Sequence, residues 1–172
     1  MGEQEAFENS GPFDGKTLEG QVERYGREMM LYALTLTRHR EDAEDVLQEA
    51  LARIFAKQPS GILNWKAYLF RAVRNAALNG IRRRGRAARR EAGAVCGFFI
   101  EPASRQEELE ALNGALAGLA DEQREVVVMK VWGGLTFDQI AQTVGIPRDT
   151  AASRYRYAME ALKEKMRGFF NE

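Results

Sequence analysis

The sequence is short of almost everything the common enzyme chemistries require. Its 172 residues include one cysteine, Cys96, and one histidine, His39. A lone cysteine forms no intramolecular disulfide and no cysteine-rich zinc module. A single histidine leaves zinc proteases, Ser-His-Asp hydrolases and Cys-His proteases poorly supplied. There is no Gly-rich phosphate loop and no spaced set of metal ligands. Only 4 prolines and 16 glycines are present, which sets collagen-like and low-complexity chains aside. No apolar run approaches the roughly 18 residues of a membrane span. Residues 1–8 carry acids and no base, unlike a secretory leader. No stretch alternates apolar and polar residues with a period of two, so strands are not expected. What remains is a soluble, cytoplasmic, all-α protein that is not an enzyme and holds no metal or cofactor.

Charge is abundant but unevenly placed. The 25 basic and 25 acidic residues cancel over the whole chain. Residues 1–62 nevertheless carry net −5, and residues 63–90 carry net +9 with no acid at all. Residues 91–147 carry net −6, and residues 148–172 carry net +2. A charge run is commonly just a solvated helix face. Nine positives without one acid are better suited to a polyanion, whose binding would then depend on salt.

Helical periodicity organises the chain. Residues 1–17 are polar and punctuated by Gly and Pro, and are expected to form a flexible tail. From Leu18, the residues Val22, Tyr25, Met29, Ala33 and Leu36 recur at three- and four-residue steps. Asp42 is a candidate cap for a second helix, whose stripe is Ala43, Val46, Leu47, Ala50, Leu51, Ile54 and Phe55. Gln58-Pro59-Ser60-Gly61 breaks it. A third helix is expected from about Asn64 to Arg84. From residue 85 the chain becomes Gly-rich and aperiodic, although Phe98-Phe99-Ile100 is apolar for a free linker. A second helical block follows: a Leu109/Leu112/Leu116/Leu119 stripe, a helix from Asp121 to Gly133-Gly134, a short helix after Thr136, and a last helix after Pro147. The expected division is a tail (1–17), a first helical bundle (18–90), a flexible linker (91–107) and a second small bundle (108–172).

The segment Thr136–Tyr157 has the pattern of a DNA-reading helix-turn-helix, namely a short helix, a Gly145 turn and a second helix opening at Arg148. Thr136 caps the first helix, and Ile140, Ala141 and Val144 pack the pair. The second helix then offers Arg148, Ser153, Arg156 and Tyr157 to base edges or phosphates. An ordinary helical hairpin shares the geometry, and the basic segment elsewhere in the chain tilts the balance toward DNA.

These pieces together resemble the extracytoplasmic-function (ECF) class of bacterial RNA polymerase sigma factors, in the sigma-70 superfamily. Glu41-Asp42-Ala43-Glu44-Asp45-Val46-Leu47-Gln48-Glu49-Ala50 resembles the helix that docks on core RNA polymerase, which implies that role for Asp45, Gln48 and Glu49. Trp65–Arg86 resembles the helix that melts and reads the minus-ten element. The candidates there are Lys66, Tyr68, Arg71, Arg74, Asn75, Arg82 and Arg83. In the family a flipped base is captured in the preceding loop, here Gln58–Asn64. Leu119–Val126 followed by Gly134–Ala141 resembles the start of the minus-thirty-five domain, which implies DNA contact by Thr136, Arg148, Thr150, Ser153, Arg154, Arg156 and Tyr157. The match has departures. Where the family has Gly-Thr-Val-Lys/Arg-Ser-Arg, this chain has Asp149-Thr150-Ala151-Ala152-Ser153-Arg154, so Ala152 stands at a usually basic position. The resemblance implies an alternative sigma factor whose partners are core RNA polymerase and promoter DNA, with an anti-sigma factor as a further partner and no membrane insertion. A standalone helix-turn-helix regulator, or a sigma mimic acting only by protein interaction, fits parts of the same sequence.

Overall fold

A computed structural model describes residues 17–84 and 106–167. Residues 1–16 of the tail, Cys96 and Phe98-Phe99-Ile100 lie outside the described residues. Seven helices follow one another in the described residues, without a strand. They are α1 (Leu18–Thr37), α2 (Arg40–Lys57), α3 (Trp65–Arg84), α4 (Gln106–Ala117), α5 (Asp121–Val131), α6 (Phe137–Val144) and α7 (Arg148–Lys165).

Local chemistry sets most of the boundaries. The Thr17 hydroxyl accepts from the Gly20 N–H and opens α1. α1 ends where Arg38 takes a left-handed φ of 64°. Asp42 does not cap α2, whose N-cap is His39. Asp42 and Glu41 sit instead in the first turn, where their charge opposes the positive end of the helix dipole. The Asn64 side chain accepts from the Ala67 N–H and starts α3. α6 opens with a full capping box, in which Thr136 Oγ1 accepts from Gln139 N–H and Gln139 Oε1 accepts from Thr136 N–H. Gly145 closes α6 at φ 80°, a conformation a side chain would resist.

α1, α2 and α3 pack against one another as the first bundle, and α5 and α6 pack on α7 as the second. The two bundles are in contact, through α1 with α5 and α3 with α6. Their apolar interiors form one continuous core. Met29, Tyr32, Leu69, Phe70 and Val73 of the first bundle join Val126, Val128, Met129, Leu135 and Ile140 of the second. A smaller cluster of Ala115, Leu116, Leu119, Val127, Ala158 and Leu162 binds α4, α5 and α7. The middle of α5, residues 124–129, is therefore covered on all sides, which explains why Val126, Val127 and Val128 can all be buried in succession.

Candidate functional site

α3 presents the basic segment. Leu69, Phe70, Val73, Ala76 and Ala77 are buried. At 100° per residue, Tyr68, Arg71, Asn75 and Arg82 fall on the opposite side of the helix. Arg71, Asn75 and Arg82 are exposed there, and Tyr68 is half-buried against Trp65, ring edge to face at 5.9 Å. These four candidates share a face. Two others do not join it. Lys66 Nζ lies over the Tyr25 ring of α1 at 4.9 Å. Arg74 turns toward the second bundle, where its Nε donates to Glu125 Oε1 at 2.8 Å. The Arg83 side chain lies outside the described residues. In front of α3, the loop holds a fully exposed Leu63 and a left-handed Gln58 and Gly61.

The helix-turn-helix is held rigidly. Gly133 donates to Val128 O and Leu135 donates to Met129 O, which closes α5 and turns the chain toward α6. A Cβ on Gly133 would stand 2.4 Å from the Met129 carbonyl oxygen, so the turn requires glycine. Lys130 Nζ donates to Leu135 O at 3.2 Å and covers the Phe137 ring. Phe137 in turn meets Tyr155 of α7, edge to face at 5.6 Å. On α7, Ala151, Ala158 and Leu162 face the core. Ser153, Arg156 and Tyr157 lie opposite them, with Arg148 on one flank and Thr150 and Arg154 on the other. The candidates of α7 thus wrap about two-thirds of its girth and do not form one strip. Arg148 reaches Asp138 and Asp149 at 3.5 Å each, and the Arg156 guanidinium covers the Tyr157 ring at 5.0 Å. The Ser153 hydroxyl donates to Asp149 O, and the Thr136 hydroxyl is engaged in its cap.

On α2, Ala43, Val46, Ala50 and Ile54 are buried, while Asp45 and Gln48 project into solvent. Glu49 is bridged by Arg53 one turn on. An acidic and amide patch is therefore available, with one of its three members already paired. Among the described residues, no group of acids, histidines and cysteines is arranged to hold a metal, and no helix is long and apolar enough to cross a membrane.

Comparison with known proteins decides the family. Residues 21–87 match the model for Sigma-70 region 2, and residues 115–164 match that for Sigma-70 region 4. The ECF RNA polymerase sigma factor SigL of Mycobacterium tuberculosis is 33% identical over 142 residues, spanning 77% of this chain and 78% of SigL. The chain belongs to the ECF sigma factors. A further relative, EcfG of Rhodopseudomonas palustris, is 28% identical over 141 residues, covering 76% of this chain and 75% of that one. The sigma factor RpoE of Bartonella quintana, solved with the anti-sigma factor NepR, superposes with a TM-score of 0.71 at 26% identity. That superposition covers 90% of this chain and 98% of RpoE. CnrH, solved with the cytosolic domain of CnrY, shares the fold at a TM-score of 0.61 and 21% identity, covering 87% of each chain. This ECF sigma factor directs core RNA polymerase to promoters as an alternative to other sigma factors, and promoter DNA and core polymerase are its partners.

The structure also brings together residues that the sequence did not single out. Tyr32 Oη donates to Glu125 Oε1 at 2.7 Å, so Glu125 accepts from both Tyr32 and Arg74 across the boundary between the bundles. Burial, with the Glu125 carboxylate next to it, pushes the Tyr32 hydroxyl well above its ordinary pKa, so it stays protonated as a donor. Arg38 at the end of α1 reaches Asp121 at the start of α5, and Asp121 also receives Arg124. Arg71 Nη2 donates to the Gln142 carbonyl near the end of α6 at 3.2 Å. The sequence carried one hint, a glutamate directly before three buried valines.

Proposed function

We propose that this ECF sigma factor works as a dissociable initiation subunit whose parts divide the labour along the chain. Residues 18–90 dock on core polymerase and melt and read the minus-ten element. Residues 108–172 read the minus-thirty-five element, and 91–107 link the two. Asp45 and Gln48, with Glu49, form the polymerase-docking patch on α2. Tyr68, Arg71, Asn75 and Arg82 track the separated strand, joined by Lys66, Arg74 and Arg83. The observation that carries this reading is the alignment of Tyr68, Arg71, Asn75 and Arg82 on one face of α3, opposite its buried side. Cationic side chains there follow phosphates, and the aromatic gives a stacking surface for a base.

The α7 residues Arg148, Ser153, Arg156 and Tyr157 read the minus-thirty-five element, with Thr150, Arg154 and the N-terminal turn at Thr136 holding the phosphates on either side. Ala152 supplies no charge, so specificity at that position is weak and Arg148 and Arg156 compensate. The protein contributes no catalytic group of its own, since bond formation belongs to the polymerase. It acts in the cytoplasm. The structures of RpoE with NepR and of CnrH with CnrY support an anti-sigma factor as a further partner.

Run-off transcription with purified core polymerase on a promoter library tests the reading. Initiation at a defined promoter subset should require this protein and fail with the Asp45→Ala/Gln48→Ala variant. DNA binding without core, together with no initiated transcript, would instead establish a standalone regulator.

A further inference from the structure

Arg148 stands in an electrostatic setting that sets it apart from the other basic residues of α7. It lies in the first turn of that helix, where the positive end of the helix dipole opposes a cation. Two carboxylates offset that cost. Asp138 of α6 lies 3.5 Å from its Nε, and Asp149 lies 3.5 Å from its Nη1. Both distances exceed those of a well-formed hydrogen bond, so charge holds the three groups together and the guanidinium protons stay available. Neither contact engages Nη2. Arg148 is itself 57% exposed, so its free edge is open to an incoming duplex.

Charge decides what such an arginine can bind. One positive and two negative groups make a cluster of net −1. A net-negative cluster is repelled by phosphates, which supply the sequence-independent part of DNA binding. A base edge imposes no such repulsion. Guanine offers O6 and N7, two neutral acceptors, to a guanidinium fork, and the N4 amine of its cytosine partner is a donor that a carboxylate accepts. Arg156 has the opposite character. Its guanidinium lies over the Tyr157 ring at 5.0 Å, a contact that leaves its charge intact for a phosphate.

We propose that Asp138 and Asp149 determine the specificity of Arg148, holding its guanidinium off the phosphates and committing it to a guanine edge in the minus-thirty-five element. Asp138 is the positioning residue of the two. It stands on α6, whose start is fixed by the Thr136–Gln139 capping box, and it reaches across the turn to α7. Asp149, 96% exposed on the same turn as Arg148, screens it from the solvent side. Arg148 is thereby a selective contact and not a general one. A wrong base leaves its fork unmatched, and no phosphate takes the place of the missing acceptors. This inference deepens the reading of α7 as the minus-thirty-five helix and rests on it.

Equilibrium binding of the full-length chain, assembled with core polymerase, to fluorescent duplexes tests it. The probes are one promoter from the run-off set and its single-base-pair substitutions across the minus-thirty-five element, each titrated over a range of salt. Wild type should prefer G·C at one base pair by about tenfold or more. Arg148→Ala should lose that preference and leave the salt slope nearly unchanged. Asp138→Asn keeps the size of the side chain and removes its charge. It should lose most of the preference and steepen the slope by about 0.9, the value for one added phosphate contact on a duplex. Asp138→Glu restores the charge and should restore both readouts, whereas damage to α6 alone would weaken every duplex without steepening the slope. A slope reduced by about 0.9 in Arg148→Ala, with even weakening across the duplexes, would make Arg148 a phosphate contact and overturn the proposal. An Asp138→Asn variant with wild-type preference and slope would overturn it as well. A wild type indifferent to every minus-thirty-five base pair would remove the assignment of α7 itself, and the proposal with it.

Discussion

Replacing Arg124 with alanine should unfold the corner that carries the helix-turn-helix. Arg124 is 1% exposed, the largest fully buried side chain among the described residues. Its Nη1 donates to Leu119 O at 3.2 Å and more weakly to Ala117 O at 3.5 Å, and its Nη2 reaches Asp121. The guanidinium thereby satisfies carbonyls at the end of α4 that have no helical partner and fastens them to the start of α5. Burial holds its pKa below the usual arginine value, with Asp121 offsetting part of that cost. A hydrogen bond to a charged group contributes about 1.5–3 kcal/mol, and a truncated buried stem leaves a cavity, so the loss should be about 4 kcal/mol. For a chain of this size that corresponds to a fall of roughly 8–16 °C in melting temperature. Arg124→Lys keeps the charge but loses the planar fork, and should recover at most half of the loss. Thermal unfolding followed by circular dichroism measures both. A melting temperature within about 2 °C of wild type for Arg124→Ala would refute the reasoning.

Four other outcomes follow from the same geometry. Gly133→Ala drives a Cβ into the Met129 carbonyl, which is backbone and cannot swing aside, so it should lower stability by about 1–3 kcal/mol by urea titration. Burial raises the Asp121 pKa, but Arg38 and Arg124 more than offset this and hold it below the ordinary value. Its contribution is therefore present above the unfolded pKa and lost as pH falls through the lower folded value. The melting temperature of wild type should drop more steeply below about pH 4 than that of Asp121→Asn, by a small margin because the carboxylate is half exposed. Leu63→Ala removes a side chain that touches nothing in the fold, so melting temperature should not move, whereas permanganate reactivity of promoter thymines should fall if an apolar wedge helps unstack the duplex. Arg156→Ala should weaken DNA binding about evenly across promoters and reduce the salt slope by about 1, whereas joint substitution of Arg148, Arg156 and Tyr157 should change promoter preference; an unaltered preference would count against the α7 assignments.

Helix boundaries were largely legible because single residues set them. Thr136 with Gln139 three residues on, Gly145 and Pro147 fix α6 and α7 by local hydrogen bonding and permitted φ. Asp42 misled because an acid two positions inside a helix has the same composition signature as a cap, and only the backbone conformation at His39 distinguishes them. On α3, the helical period sets Arg71, Asn75 and Arg82 opposite the buried residues, but it could not say that Arg74, on the flank, has a partner 51 positions away. Periodicity reports that a face is covered and is silent about what covers it. α5 is the clearest case, since Val126-Val127-Val128 defines no stripe and the helix serves two cores at once.

The charge pattern has the same double meaning. A segment of net +9 beside one of net −6 calls for a polyanion, and the second segment of the chain is itself a modest one. Asp121 and Glu125 answer Arg38 and Arg74 before any DNA arrives. DNA is the denser polyanion, with one charge per ~1.7 Å of axis against two carboxylates between the bundles. It also releases counterions that an internal pair does not. Added salt should therefore weaken promoter binding, whose phosphates it screens, far more than the nearly buried Arg74–Glu125 pair.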